Sequence, residues 1–225
     1  MKIVVFNCDR YADVSAAWYE LYRTMWPEQP YEVAYVTNSI EIDVPVPVYY
    51  IERPELDFGG RVRAFLHHHY TDDLLLLTMA DYLLKGRVDH ETVRRAEELC
   101  TAPLIRHCRL RPMPRPQRPF KAEGFGRIKK GTRYSLSLQP GIWESQVLYD
   151  LVQPGENPWH IETRGSGRTR GIRGSFLSTE THVLPHHNYY RKGKPQALDW
   201  VAANVPEACW PDAVRRNERR KRRDT

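Results

Sequence analysis

Through the first hundred residues, continuous apolar runs alternate with stretches whose apolar positions recur every three or four residues. "KIVVF" (2–6), "EVAYV" (32–36) and the leucine run beginning at Leu74 are of the continuous kind, as expected for short strands buried on both faces. "VPVYYI" (46–51) is crowded by Pro45 and Pro47 and predicts a short or edge strand. Between the first two runs, Asp13 can cap a helix. Val14, Ala17, Trp18, Leu21, Tyr22 and Met25 then share one face until Pro27. Residues 60–70 predict a helix leading into the leucine strand. Asp89 opens another, with Val93, Ala96 and Leu99 or Cys100 facing inward. Such alternation predicts an α/β fold, a mostly parallel central sheet flanked by helices.

The second half has a different texture. The proline- and arginine-rich stretch 103–119 reads as a connecting loop, and 126–139 as two strands around Lys130-Gly131. Residues 143–152 suit a short amphipathic helix, and the glycine-rich, basic stretch 164–174 suits a mobile loop. The predicted organisation is one domain over 1–205, with a crevice-forming half (1–102), a smaller second half (120–200) and a flexible basic tail (206–225). No internal repeat is visible. Neither the phosphate-loop nor the dinucleotide fingerprint follows a strand.

With 41% hydrophobic residues in 225, the chain can bury a substantial core. No apolar run approaches the roughly 20 residues of a membrane helix. The first strand is too short for a signal segment, so a cytoplasmic protein is expected. Four cysteines without C-x-x-C spacing indicate neither a zinc site nor a disulfide framework. The net charge of +6 is concentrated in 106–121 and 215–225, which makes a polyanionic partner the natural expectation.

In open α/β sheets ligands bind beyond the carboxyl ends of the strands. The leucine strand ends at Asp81, which therefore points into the crevice. Asp72 and Asp73 lie at its other end. A carboxylate there can ligate Mg²⁺ or Mn²⁺ bridging a diphosphate, or it can cap the following turn. Asn7, Asp9 and Arg10 follow the first strand and can hold a base or ribose, or serve the turn. Thr37 and Asn38 repeat the argument after the second strand. Arg61 and Arg63 follow Gly59-Gly60 near a helix start, a setting that suits phosphates. Gln139, Trp143, Trp159 and Glu162 combine stacking platforms with a polar pair. The "HHH" at 67–69 points three ways on a helix and makes a poor metal site. His186 or His187 can complete a metal shell or contact a diphosphate, near Arg191, Lys192 and Lys194.

"LLLLTMADYLLKGRVD", then "YSLSLQPGIW", then "PGENPWHIE" with "GSG" shortly after, resembles a group of small bacterial and phage glycosyltransferase-like proteins over residues 1 to about 195. Those proteins have the type A fold of nucleotide-sugar transferases, which is Rossmann-like. The resemblance implies a nucleotide-sugar crevice in the first half, with a UDP-sugar such as UDP-glucose as donor. Its lining would be Asn7, Asp9, Arg10, Thr37, Asn38, Arg61, Arg63, Asp81 and Tyr82. The family's diphosphate and metal motif falls on Ala80-Asp81-Tyr82. Ala80 stands where members carry a first acid, so one carboxylate remains, with His187 as the candidate second metal ligand. Glu162 matches an acidic position and becomes the general base. Gln139, Trp143, Trp159, Arg168 and Arg170 are expected on the acceptor side. Two acceptors follow: a hydroxymethylated pyrimidine in DNA, favoured by the basic stretches, and a surface or lipid-linked glycan. A non-catalytic nucleic-acid-binding module is the third reading, kept open by Ala80.

Overall fold

The computed structural model describes residues 1–52 and 56–224. The chain opens with β1 (Lys2–Phe6), α1 (Ser15–Met25), β2 (Val33–Thr37), β3 (Val48–Tyr50), α2 (Phe58–His68), β4 (Leu74–Met79), β5 (Tyr82–Leu84) and α3 (His90–Thr101). The second half brings β6 (Ile105–Arg109), β7 (Arg118–Pro119), β8 (Phe125–Ile128), β9 (Gly141–Glu144), α4 (Ser145–Leu151), α5 (Pro158–Thr163), β10 (Ser175–Thr179) and β11 (His186–Asn188). It closes with α6 (Leu198–Asn204) and α7 (Asp212–Asp224). Nine strands form one sheet in the order β3-β2-β1-β4-β9-β6-β10-β8-β7. Only β8 and β9 run against the others. The expected α/β architecture, a mostly parallel sheet between helices, is the architecture found.

The continuous apolar runs have a simple cause. Successive side chains of a strand face opposite ways, and both faces are covered. Ile3, Val5 and Leu76 pack with α1, α3, α6 and α7. Val4, Phe6, Leu75 and Leu77 pack with α2, α4 and α5. Because β1, β2 and β4 are parallel and adjacent, their carboxyl ends open on one rim.

Several expectations change. Asp13 does not cap α1, which follows directly on a 3-10 turn, Asp9–Val14. Its carboxylate accepts instead from the Tyr190 hydroxyl (3.3 Å) and the Asp212 amide (3.1 Å). The stretch 103–119 is no simple loop, because it contains β6, a strand from the middle of the sheet. Residues 126–139 give one strand rather than two. The glycine-rich stretch forms a 3-10 helix, Gly165–Gly171, with Ser166 and Thr169 buried. Most of the expected tail is α7, with Ala213 and Val214 buried; Thr225 lies outside the described residues. Among the described residues no helix is long and apolar enough to cross a membrane.

Candidate active site

Asp81 lies in the two-residue turn between β4 and β5, at the rim. Its electrostatic neighbours lie just beyond the tip of β1. The Cys8 thiol lies within electrostatic reach of both Asp81 and Arg61, and the Tyr11 phenol also feels Asp81. Burial pushes the Asp81 carboxyl up to about 6, against the pull of the backbone amides of Asp81 and Tyr190. Among the described residues no cation draws it back down. A half-buried acid held near its protonation point at a strand tip is an unfavourable arrangement for folding, the kind that accompanies sites.

Tyr82 follows it in the chain. Its hydroxyl accepts from Gln139 Nε2 (3.1 Å), and its ring stacks on His186 with centroids 4.7 Å apart. The phenol is raised well above its usual value by burial first and then by the charges of Asp81 and Glu162. Tyr82 thus lies within electrostatic reach of two carboxylates that are 81 residues apart in sequence. Arg111 completes this wall. Its Nη1 donates to Gln139 Oε1 (2.6 Å) and to His186 Nε2 (3.1 Å). His186 Nδ1 contacts the Leu184 carbonyl (2.8 Å), so the proton sits on Nδ1 and Nε2 accepts. Burial drives this imidazole down to about 3, leaving it neutral.

Glu162 stands on α5, whose start is capped by Asn157 accepting from the His160 amide (2.9 Å), with Pro158 at the first turn. Its Oε1 accepts from Ser137 Oγ and the Leu138 amide, both at 2.8 Å. No hydrogen bond reaches Oε2 among the described residues. Burial raises this carboxyl, while those two donors and the charge of Arg109 draw it back. Arg109 is itself fully buried. It donates to the carbonyls of Tyr134 (3.1 Å) and Pro114, and burial lowers it to about 10. A half-buried carboxylate with one oxygen pinned and one free, raised by burial above its ordinary value, has the chemistry of a proton acceptor.

The residues expected to line a donor pocket lie largely at the tips of β1 and β2. Asn7 is buried and committed to the fold, donating to Ser15 Oγ (2.8 Å) and accepting from the Cys8 amide (2.8 Å). Asp9 clamps the loop after β2 by accepting from the Ser39 amide (2.9 Å), Ser39 Oγ (2.7 Å) and the Ile40 amide (3.0 Å). Burial works to raise Asp9, yet these bonds and Arg61 hold it below the usual carboxylate value. Arg61 lies within electrostatic reach of Cys8 and Asp9, while its Nη1 donates to the Leu56 carbonyl (2.9 Å). Thr37 Oγ1 and Asn38 Oδ1 are buried with no hydrogen-bond partner, which is costly unless something else supplies one. Arg10 is exposed beside the Tyr11 ring.

Other candidates fall elsewhere. Arg63 does not face the crevice: it donates to the carbonyls of Tyr149 and Val152 and lies 3.8 Å from the Tyr149 ring centroid, binding α2 to α4. The glycines before it serve packing. A side chain on Gly59 would sit 2.1 Å from the Gln153 carbonyl oxygen, and the Gly59 and Gly60 amides are spent on Glu156 O (2.9 Å) and Asp57 Oδ1 (2.7 Å). Trp143 offers no acceptor platform, because it has 0% exposure and stacks on His107 at 3.6 Å. Trp143→Ala is expected to cost about 3–5 kcal/mol of stability, read by urea unfolding. Arg168 pairs with Glu156 through two hydrogen bonds of 2.9 and 2.6 Å and so braces the 151–168 segment. Trp159, one turn before Glu162, is 58% exposed and free to stack on a ligand. Arg170 lies away from this wall, against Gly131.

His187 is not brought to Asp81. Its ring packs on Trp200 at 4.8 Å, and the charge it feels is Lys85. Among the described residues no group of three or more His, Cys, Asp or Glu side chains gathers as a metal shell would. A protein-built metal cage is therefore absent there. What remains is one carboxylate, enough for a Mg²⁺ or Mn²⁺ that takes its other ligands from substrate phosphates and water.

Sequence reasoning missed Cys8, Tyr11, Arg109 and Arg111. The last two were visible as arginines two apart in 106–111, but a strand whose inward positions are His and Arg lacks the apolar pattern that reveals strands.

No family model matches the chain, and no curated protein matches it in sequence. Solved structures do share its fold. TarS of S. aureus, residues 1-349 in complex with UDP, superposes with a TM-score of 0.56 at 14% identity, covering 80% of this chain and 58% of that one. The mannosyltransferase PcManGT from Pyrobaculum calidifontis, in complex with GDP-Man and Mn²⁺, gives 0.52 at 14% identity, covering 88% and 59%. A cytidylyltransferase from Leptospira borgpetersenii gives 0.51 at 12% identity, covering 95% and 88%. The chain thus spans less than two thirds of the first two proteins. Its fold is the type A fold of nucleotide-sugar transferases. At these identities the likeness carries the fold, and the chemistry must come from the site.

Proposed function

We propose that the chain is a glycosyltransferase that moves a sugar, a hexose from a UDP-sugar as first candidate, to a hydroxyl acceptor, namely a hydroxymethylated pyrimidine of DNA. The carrying observation is that Tyr82, whose hydroxyl accepts from Gln139, lies within electrostatic reach of both Asp81 and Glu162, two carboxyls raised by burial. The orphaned oxygens of Thr37 and Asn38 suit a nucleoside, and Arg61 suits the diphosphate. Asp81 would hold a donor-borne Mg²⁺ or Mn²⁺, which would neutralise diphosphate charge. Arg61 stabilises negative charge gathering on the departing diphosphate. Glu162 Oε2 accepts the proton of the acceptor hydroxyl as its oxygen bonds to the anomeric carbon and the bond to the diphosphate breaks. Arg109 steadies Glu162, and exposed Trp159 stacks on the acceptor. Direct attack of this kind inverts the anomeric centre.

The test offers a panel of nucleotide sugars with hydroxymethylated and plain DNA, with a lipid-linked glycan in parallel, and follows nucleoside mass after digestion. A hexose-sized gain on the modified base alone, with release of nucleoside diphosphate, is expected. A gain on the glycan alone moves the acceptor assignment. Release of sugar phosphate in place of nucleoside diphosphate marks nucleotidyl transfer and removes the glycosyl reading.

A further inference from the structure

At the far edge of the sheet, β7, β8 and the 3-10 helix Gly165–Gly171 enclose a groove of about 360 Å³. Arg118, Arg127, Lys129, Lys130 and Arg170 line it, and no Asp or Glu does. None of the five is ion-paired among the described residues. Arg118 and Arg127 stand directly opposite each other in the β7–β8 ladder, an arrangement of like charges that destabilises a sheet when left alone. Lys129, one residue past the end of β8, lines the same groove as Arg127. Lys130 Nζ is held over the groove by the Ile172 carbonyl, Arg170 Nη2 reaches the Gly131 carbonyl (3.4 Å), and the Arg127 guanidinium lies 5.3 Å from the Phe120 ring centroid. These partners fix the cations without neutralising them.

We propose that this groove binds the phosphate backbone of a nucleic acid. Anions between Arg118 and Arg127 relieve the repulsion that the ladder otherwise carries. The cations converge inside a concavity, which fits a strand of phosphates better than a flat bilayer. Arginine forks also suit phosphate oxygens. Charges placed only to protect an edge strand belong on β7 itself, whereas Lys129, Lys130 and Arg170 lie off it.

The groove is joined to the crevice. The segments 131–138 and 162–170 run side by side, laced by the Gly131 amide to Thr169 Oγ1 (2.7 Å), Ser135 Oγ with Thr169 Oγ1 (2.9 Å), the Leu136 amide to Ser166 Oγ (3.1 Å) and the Leu138 amide to Glu162 Oε1 (2.8 Å). Six residues separate Gly131 from Ser137, a span of at most about 21 Å. A polynucleotide seated in the groove is thus one short stretch of chain from Glu162. The inference rests on the DNA-acceptor reading and gives that acceptor its docking surface.

Fluorescence anisotropy with a labelled DNA of about 20 nucleotides, single- and double-stranded, between about 50 and 200 mM salt, tests it. The variant is R118Q/R127Q/K129Q in the full chain, with melting temperature as the folding control. The expected result is binding at least about tenfold weaker, with a log–log salt slope shallower by about 2 to 3, close to one per lost phosphate contact. Unchanged affinity overturns the proposal, whether or not the variant aggregates. Binding of anionic phospholipid vesicles with none of DNA overturns it as well. Calorimetry with nucleotide sugars separates this test from the transferase reading. If the wild type takes no donor while the variant loses DNA, the groove stands and the transferase falls. If donor binds and DNA does not, the groove alone falls.

Discussion

Replacing Glu162 by Gln is expected to reduce sugar transfer by about 10²- to 10⁴-fold, the usual worth of a general base, while donor binding stays within about twofold. The substitution is mild by design. The amide oxygen can still accept from Ser137 Oγ and the Leu138 amide, the bonds now made to Oε1, so α5 keeps its place. Only the proton-accepting capacity at Oε2 is lost. In the wild type, activity rises with pH through an apparent pKa above the ordinary carboxylate range, because burial raises Glu162. The variant lacks that rising limb. A merely structural Glu162 would leave the pH profile in place and lower the melting temperature instead, and retention of more than about a tenth of the activity ends its assignment as base.

Asp81→Asn is expected to pull stability and function apart. Donor turnover drops by at least about 10²-fold as the carboxylate proposed to hold the donor-borne metal ion is lost. The folded protein nevertheless becomes more stable at neutral pH. In the wild type the carboxyl is raised to about 6 from its ordinary 3.8. The unfolded chain therefore loses this proton first as pH rises. The penalty grows between about pH 4 and 6 and is fully present above 6. Asn carries no such penalty. A gain of about 1 kcal/mol in a domain of this size moves the melting temperature by about 2–4 °C. That gain should appear at pH 8 and vanish at pH 4. Thermal scans at the two pH values, beside turnover assays, check both halves. A variant that turns over donor normally removes Asp81 from the site, and one that melts lower at pH 8 removes the burial argument.

The parts of the fold that were legible in the sequence share a physical cause. β1, β2 and β4 are buried on both faces, so their apolar runs are unbroken, and the rim position of Asp81 follows from the end of the leucine run. β6 was hidden because His107 and Arg109 occupy its inward positions. Their burial is made tolerable by partners distant in sequence: the Ile142 carbonyl for His107 (2.9 Å) and the Tyr134 and Pro114 carbonyls for Arg109. No local pattern announces such partners. Gly59-Gly60 misled for a related reason. A glycine needed where a helix start meets the Gln153 carbonyl looks, in sequence, like one needed beside a phosphate. Trp143 misled because a tryptophan next to polar residues reads as a platform until its strand is known to lie mid-sheet. Glu162 was marked by its resemblance, but its pinned oxygen and its view of Arg109 exist only once residues 109, 137 and 162 are brought together.

The central claim is that the crevice between Asp81 and Glu162 is a nucleotide-sugar site. Calorimetric titration of the full chain with a panel of UDP-, GDP- and CDP-sugars, with and without Mg²⁺ or Mn²⁺, tests it most directly. Saturable binding of at least one donor at a single site is expected, weakened at least about tenfold, or 1.4 kcal/mol, by Arg61→Ala. Absence of binding by every donor, or binding indifferent to both Arg61→Ala and Asp81→Asn, would contradict it.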